Sequence, residues 1–261
     1  MTRAITFAVA SNRRYSLDSI LLTSPIFNGA DRPQLLVQEG YRSAAAAYNE
    51  AIERSENDLI VFLHDDMYLP EEWVGELQAS IERLAKTDPN WGVLGCSGQT
   101  HDNQNRGYVY SHGLGIIGEP FEEPRRVQTL DEILLIIRKS SGLRFDEAIP
   151  HFHMYGADLC MTAASRGMNS YAISAYCIHN TQYGPALSGE FYEAYRAFRR
   201  KWKDALPVYT TCVQVTKLNG YIYERRLREA YRLYVRRDKT EERVRNTQAL
   251  VETARAMRRQ S

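Results

Sequence analysis

The residues with the most chemistry in them stand together: His64-Asp65-Asp66 closes the apolar run Leu59-Ile60-Val61-Phe62-Leu63. Adjacent carboxylates at a strand end repel each other unless solvent or a cation relieves them. A hard divalent ion such as Mg²⁺ or Mn²⁺ is the natural partner for those oxygens, and an imidazole can add a nitrogen. A second imidazole of the same kind, His179, follows the apolar stretch Tyr171 to Ile178. Taken alone, His-Asp-Asp is a short motif, and a strand that simply stops in a polar turn reads the same way.

The elements that must position these residues alternate between strand and helix, which points to an α/β fold with a mostly parallel sheet flanked by helices. Ile5 to Ala10 reads as a first strand, Gln34 to Val37 as a second and Leu59 to Leu63 as a third. The third is apolar without alternation, as in a strand buried on both faces. Carboxylates at the carboxyl end of such a strand face the crevice where open α/β sheets take their ligands. Ser43 to Arg54 is alanine-rich and helical, with Ser43 able to cap it. Pro70-Glu71-Glu72 opens a helix to about Lys86, proline and acids both suiting a first turn. Val93 to Cys96 and Leu134 to Arg138 are strands, and His101 to Arg106 is a polar loop. Ala157 to Arg166 is a helix closed by Gly167, Tyr171 to Ile178 returns as a strand, and Ser188 begins a helix bearing Phe191, Tyr195, Phe198 and Trp202 on one face.

The 261 residues suffice for a large core, and 44% hydrophobic with 25% charged residues is an ordinary globular balance. No apolar stretch approaches the roughly 18 residues of a spanning helix, and the N-terminal run reads as a strand rather than a leader, so the expected setting is cytoplasmic. Cys96, Cys160, Cys177 and Cys212 lack CxxC spacing and sit in apolar surroundings, which predicts buried free thiols and no zinc site.

Net charge is +1 overall, but Lys217 to Ser261 holds thirteen Lys or Arg against six Asp or Glu. An acidic body therefore carries a basic tail, expected as two helices: a stripe of Tyr223, Leu227, Ala230 or Tyr231, and Tyr234, then a second helix starting at Thr240-Glu241-Glu242 with Val244, Thr247, Val251 and Ala254 on one side. Packing against the body, self-association through that second stripe, and contact of the Arg- and Tyr-rich face with anionic lipid at the inner membrane face all fit such a segment. Charge alone allows nucleic acid, but no recognisable module stands behind it, and none is expected as a partner.

The order of Gln34-Leu-Leu-Val-Gln-Glu39, the Ala44 to Asn49 helix, and the strand ending His64-Asp65-Asp66 resembles the family 2-like glycosyltransferases of the GT-A fold. His64-Asp65-Asp66 falls on that family's Asp-X-Asp metal motif, with His64 in the first position, as in a subgroup carrying His-X-Asp. Phe145-Asp146-Glu147, the segment His151 to Cys160, His179-Asn180-Thr181 and the Phe191 to Trp202 helix resemble the acceptor-side, metal-completing and closing parts. The likeness covers about residues 4 to 204, which divides the chain into a GT-A domain, residues 1–206, and a basic helical extension, residues 207–261.

The resemblance implies a metal-dependent, inverting transfer of a sugar from a nucleoside diphosphate donor, with uridine as the base, to a hydroxyl of a glycan, glycolipid or protein, as in polysaccharide biosynthesis. It implies Mn²⁺ or Mg²⁺ on Asp66 and His179, with His64 as a further ligand or a diphosphate contact. Ser11, Asn12, Glu39, Asn49, His64 and Asp65 fall to the donor side. His151 and His153, alternating along one extended segment, and Tyr155 fall to the acceptor side. Asp158, at a helix start, is the expected general base, although an Asp there is equally an ordinary helix partner. In many relatives the base lies two residues earlier, where this chain has Gly156. Asp131, Glu132 or Asp146 could supply it instead, or the chain could bind nucleotide sugar without transferring it. A metal-dependent phosphohydrolase using His64-Asp65 is a more distant alternative.

Overall fold

A computed structural model describes residues 4–29, 31–182 and 184–259. The chain begins with β1 (Ile5–Ala10), a short α1 (Arg14–Ser19), β2 (Gln34–Gln38), α2 (Ala44–Arg54) and β3 (Leu59–Leu63), with β4 (Met67–Tyr68) close behind. Then come α3 (Trp73–Thr87), β5 (Val93–Gly95), β6 (Ser97–Gln99), the hairpin of β7 (Asn105–Ser111) and β8 (Gly115–Gly118), β9 (Arg125–Val127), β10 (Thr129–Leu130) and β11 (Leu134–Arg138). α4 (Tyr155–Ser165), β12 (Ser170–Ala172), β13 (Cys177–His179) and α5 (Gly189–Lys201) precede a small hairpin, β14 (Val208–Tyr209) and β15 (Gln214–Val215), and the tail elements α6 (Gly220–Ala230) and α7 (Thr247–Arg258).

The main sheet has seven strands in the order β2-β1-β3-β11-β5-β12-β9. β1, β2, β3, β5 and β12 all run one way, while β11 and β9 oppose them. The sheet is thus mostly parallel as expected, with β11 wedged antiparallel between β3 and β5. Its three central strands show why β3 carries no polar alternation. Val61 and Leu63 join Phe7, Val9, Leu134 and Ile136 in one core with Trp73 and Leu77 of α3. Ile60 and Phe62 join Ala8, Leu135 and Ile137 in another with Tyr48 of α2 and Leu159 of α4. Both faces are covered, so each such side chain contributes about 1.5–3 kcal/mol of burial.

A second sheet, in the order β10-β6-β7-β13-β4, stands beside the first. The single strand expected over Tyr171 to Ile178 is in fact two: β12 belongs to the main sheet and β13 to the second. The break falls where Ile173 N–H donates to Gly95 O and Tyr176 N–H to the Glu76 carboxylate. The chain makes the same crossing after β3, passing into β4, which pairs antiparallel with β13. His64, Asp65 and Asp66 therefore bridge the two sheets, and His179 lies directly opposite Met67.

Ser43 caps α2 through Ala46 N–H, as its sequence predicts. α3 begins at Trp73, three residues late, because Pro70 to Glu72 form a turn closed by Trp73 N–H on Pro70 O. α4 starts at Tyr155, two residues early, and Gly167 with φ +75° follows its end. Three cysteines are buried, but Cys212 is exposed, lying beyond Thr211 in the bend between β14 and β15.

The tail departs from expectation. α6 forms and continues as a π-helical turn over Tyr231–Arg236, leaving Tyr223, Leu227, Tyr231 and Tyr234 exposed. No helix starts at Thr240. Residues 240–245 run across the body as a non-helical strap, and α7 is capped instead by Asn246, whose side chain accepts from Ala249 N–H. The strap forms because Asn180 offers both halves of a backbone pairing: its Nδ2 donates to Val244 O and its Oδ1 accepts from Val244 N–H. Leu250, Val251 and Ala254 are buried against Tyr108, Tyr176 and Ile178, so the stripe expected to serve self-association is spent on the body. No helix among the described residues is long and apolar enough to cross a membrane.

Candidate functional site

A cleft of about 390 Å³ opens at the carboxyl ends of β1, β2 and β3. Ser11, Asn12, His64, Asp65, Asp66, His153, Tyr155 and His179 line it, as the sequence leads one to expect, together with Arg13, Gln38, Tyr41, Tyr48, Phe152, Thr181 and Arg243. Another cleft of about 370 Å³ lies at the opposite end of β3, but its lining offers one acid, Asp58, and no imidazole.

The two aspartates are both almost fully buried and do different things. Asp65 is gripped by Arg13, with Nη2 2.5 Å from Oδ1 and Nε 3.1 Å from Oδ2, and Ser11 Oγ donates to the same carboxylate. Asp66 accepts from Arg243 Nε at Oδ2 (2.8 Å), while its Oδ1 stands 3.3 Å from His179 Nε2 without a satisfied hydrogen bond. Burial opposes ionisation of Asp66, yet His179, His64 and Arg243 together outweigh it and hold the carboxyl well below the usual range. Burial also lowers the His64 pKa against the pull of Asp66, which favours the neutral imidazole that ligates metals. Its Nε2 lies 3.3 Å from the Tyr155 hydroxyl, and its ring is 5.7 Å from that of His179. Ser111 Oγ lies 3.5 Å from His179 Nδ1, at the far side of that ring from Asp66.

His64, Asp66 and His179 each present one ligand atom, all within 4.8 Å of one another. The orphaned Asp66 Oδ1 in their midst is what a cation would satisfy, so the residues fit a metal.

Four expected residues are placed elsewhere. Glu39 is exposed and stands 3.9 Å from Arg14; the strand's two-residue period puts its neighbour Gln38 into the cleft, buried, with Nε2 unpartnered. Asn49 is a brace: its amide donates to Phe145 O and to the Glu147 carboxylate, and its carbonyl accepts from Phe145 N–H. His151 has φ +64° and Met154 φ +65°, so the segment is kinked rather than extended, and the two histidines part company. His151 pairs with Glu193 at 2.7 Å, while His153 stays in the cleft near Ser188.

Asp158 is the main correction. It is buried against the end of α5, where Lys201 Nζ donates to Oδ2 at 2.8 Å and Trp202 Nε1 to Oδ1 at 2.7 Å. Lys201 also bonds Asp146 at 2.7 Å. Both acids are thus committed to holding the end of α5, Asp158 to α4 and Asp146 to the loop before it. Asp131 is likewise engaged, capping Ile133 N–H and accepting from Thr211.

Glu132 is different. Its carboxyl accepts from Gly156 N–H at 3.2 Å at the start of α4, and its main-chain oxygen accepts from the Tyr155 hydroxyl that also reaches His64. Burial, then Asp131, hold its pKa well above the ordinary value despite the backbone N–H groups that favour the anion.

A sheet of this topology with a metal-fitting cluster at its carboxyl edge defines the class of open α/β proteins that take their ligands at that edge. More narrowly, residues 29–200 match the model of the family described as "Glycosyltransferase like family", and the chain belongs to it, with the GT-A fold that its sequence resembles. A curated relative, "ATP synthase subunits region ORF 6" of Fuscovulum blasticum, is 29% identical over 166 residues, which are 61% of this chain and 66% of that one. Among solved structures, A197 from STIV is similar with a TM-score of 0.41 and 15% identity, covering 66% of this chain and 82% of its own. TarS 1-349 of S. aureus in complex with UDP gives 0.47 and 14%, covering 76% and 64%. Likenesses at this level carry no argument about function.

Proposed function

We propose that the protein is a metal-dependent, inverting glycosyltransferase that takes a sugar from a nucleoside diphosphate donor, with uridine as the base. The observation that carries this is the His64–Asp66–His179 cluster at the carboxyl edge of β3, beside a cleft whose other wall is Ser11, Asn12 and Gln38. His64, Asp66 and His179 would hold the cation, which would supply Lewis-acid stabilisation of negative charge on the diphosphate. Two nitrogens beside one oxygen are softer than the all-oxygen shell Mg²⁺ prefers, which favours Mn²⁺ of the two.

On the acceptor side, His153 and Tyr155 present polar groups to the cleft. The acceptor is a hydroxyl of a glycan, glycolipid or protein, and its attack from the face opposite the leaving diphosphate inverts the anomeric carbon. Glu132 takes the proton. Its carboxyl, at the start of α4 beside Tyr155, faces backbone N–H groups rather than a cation, and a raised pKa makes it the better base. Orientation at an anionic membrane face falls to the exposed Tyr223, Leu227, Tyr231 and Tyr234 with the surrounding arginines.

Gly156, which offers no side chain at the start of α4, supports a second reading, a binding subunit without turnover. Calorimetry with UDP, GDP and their sugar conjugates, with Mn²⁺ and then with excess chelator, tests the first. Metal-dependent binding of one nucleotide and slow hydrolysis of its sugar conjugate are expected. Binding without hydrolysis or transfer favours the silent subunit, and no binding by the folded protein removes the donor site.

A further inference from the structure

The strap contributes more than cover. Its backbone is fixed from both sides by groups that do not involve the Arg243 side chain. Asn180, fully buried, pairs with Val244 in both directions and also donates its own N–H to Asp66 O at 2.9 Å. On the flanks, Tyr15 Oη donates to Arg245 O at 3.2 Å and His112 Nε2 lies 3.1 Å from Glu242 O. Arg243 is thereby presented to the cleft, with Nε on Asp66 and Nη1 on Gln182 Oε1 at 2.9 Å.

Charge says what it is for. The permanently ionic residues of the lining are Asp65, Asp66, Arg13 and Arg243, whose charges cancel. A divalent cation on Asp66 Oδ1 would leave an excess of two positive charges, equal and opposite to the diphosphate of a nucleotide sugar. Arg243 occupies Oδ2 and leaves Oδ1 to the cation, so the two do not compete for one oxygen. A guanidinium beside a metal-bridged diphosphate is the fork that phosphate oxygens accept best.

Resting on the donor reading above, we infer that Arg243, supplied by the C-terminal segment from outside the family-matched residues, is part of the donor site and binds the diphosphate. The charge that holds the leaving group is divided between the body and the tail. Arg243 is a binding residue, and Asn180 positions it.

The test uses the full chain and its Arg243→Ala and Arg243→Lys variants. Calorimetry measures Mn²⁺ alone, then UDP, UMP and uridine with Mn²⁺ present, or the guanosine series if GDP is the nucleotide bound. Arg243→Ala should weaken the diphosphate by about ten- to a hundredfold, as expected for losing hydrogen bonds to a charged group, with Arg243→Lys recovering part of it. Uridine affinity should change by no more than about twofold, and Mn²⁺ alone should bind no more weakly, since Arg243 is a like charge beside Asp66. Equal diphosphate affinity in Arg243→Ala overturns the inference, and tighter affinity does so by making Arg243 a plug. Equal weakening of uridine and UDP also overturns it, since the strap then merely shapes the cleft. Failure of the wild-type chain to bind any of these nucleotides removes the donor reading itself and the inference with it.

Discussion

A Cβ placed on Gly156 would stand 2.8 Å from Cγ of Glu132, so the side chain of Glu132 already fills the space that a residue at position 156 would use. Leu135 Cδ1 at 3.2 Å and Leu130 O at 3.3 Å close the remaining sides. The two positions share one site at the start of α4. Gly156→Ala should destabilise the fold by about 1–3 kcal/mol through overpacking, and by clearly less in a Glu132→Ala background. Urea denaturation of the four members of that cycle measures the coupling. Strict additivity would mean that the positions do not compete.

If Glu132 is the base, Glu132→Gln should lower turnover by about 10²- to 10⁴-fold while nucleotide affinity stays within about twofold. Initial rates with the donor and acceptor identified by screening, alongside nucleotide calorimetry, separate these quantities. Full turnover in the variant would assign the proton to another group.

Asp158 should matter for stability. Asp158→Ala removes the buried acceptor of Lys201 and Trp202 and should cost about 1–3 kcal/mol, Lys201 being partly exposed and keeping Asp146 as a partner. Nucleotide affinity, measured below the lowered melting temperature, should be unchanged. A stable variant that binds but fails to turn over would return Asp158 to the chemistry.

The raised pKa of Glu132 fixes a sign. A carboxyl held above its unfolded value binds its proton more tightly in the folded chain. Its contribution is therefore full below the unfolded pKa and is lost as pH rises through the folded one. As pH rises out of the ordinary carboxylate range the wild type should lose stability relative to Glu132→Gln, as read from denaturation midpoints. The acid limb of the rate profile should lie above the ordinary carboxylate range for the same reason.

Asp66→Asn should abolish Mn²⁺ binding and with it the metal-dependent part of nucleotide affinity. Titration of Mn²⁺ followed by electron paramagnetic resonance checks this directly. Undiminished Mn²⁺ affinity would place the ion on other residues.

What the sequence made legible was set by periodicity and local chemistry. The uninterrupted run from Leu59 to Leu63 requires cover on both faces, and that led directly to His64, Asp65 and Asp66 at its end. His179 was legible for the same reason. That Gln38 rather than Glu39 lies in the cleft follows from the two-residue period of β2, in which Leu36 and Gln38 share a face. Arg13 and Arg243 had no local signal: each becomes part of the site only when the strands and the strap bring distant segments together, Arg243 across 177 positions from Asp66. Asp158 looked catalytic because an acid at a helix start has two uses, and only the position of Lys201 and Trp202 distinguishes them. The strap was read as helix because Thr240-Glu241-Glu242 is a sound helix start by composition, and nothing nearby announces Asn180 as its tertiary partner.

The family match ends at residue 200, while the cleft is closed by residue 243. Two chains that score alike over the matched stretch can therefore differ in the electrical balance of their clefts, because the deciding residue lies where such scoring does not look. On the inference drawn for Arg243, relatives sorted by what stands opposite the second aspartate, rather than by overall resemblance, would fall into groups that differ in how the diphosphate is held.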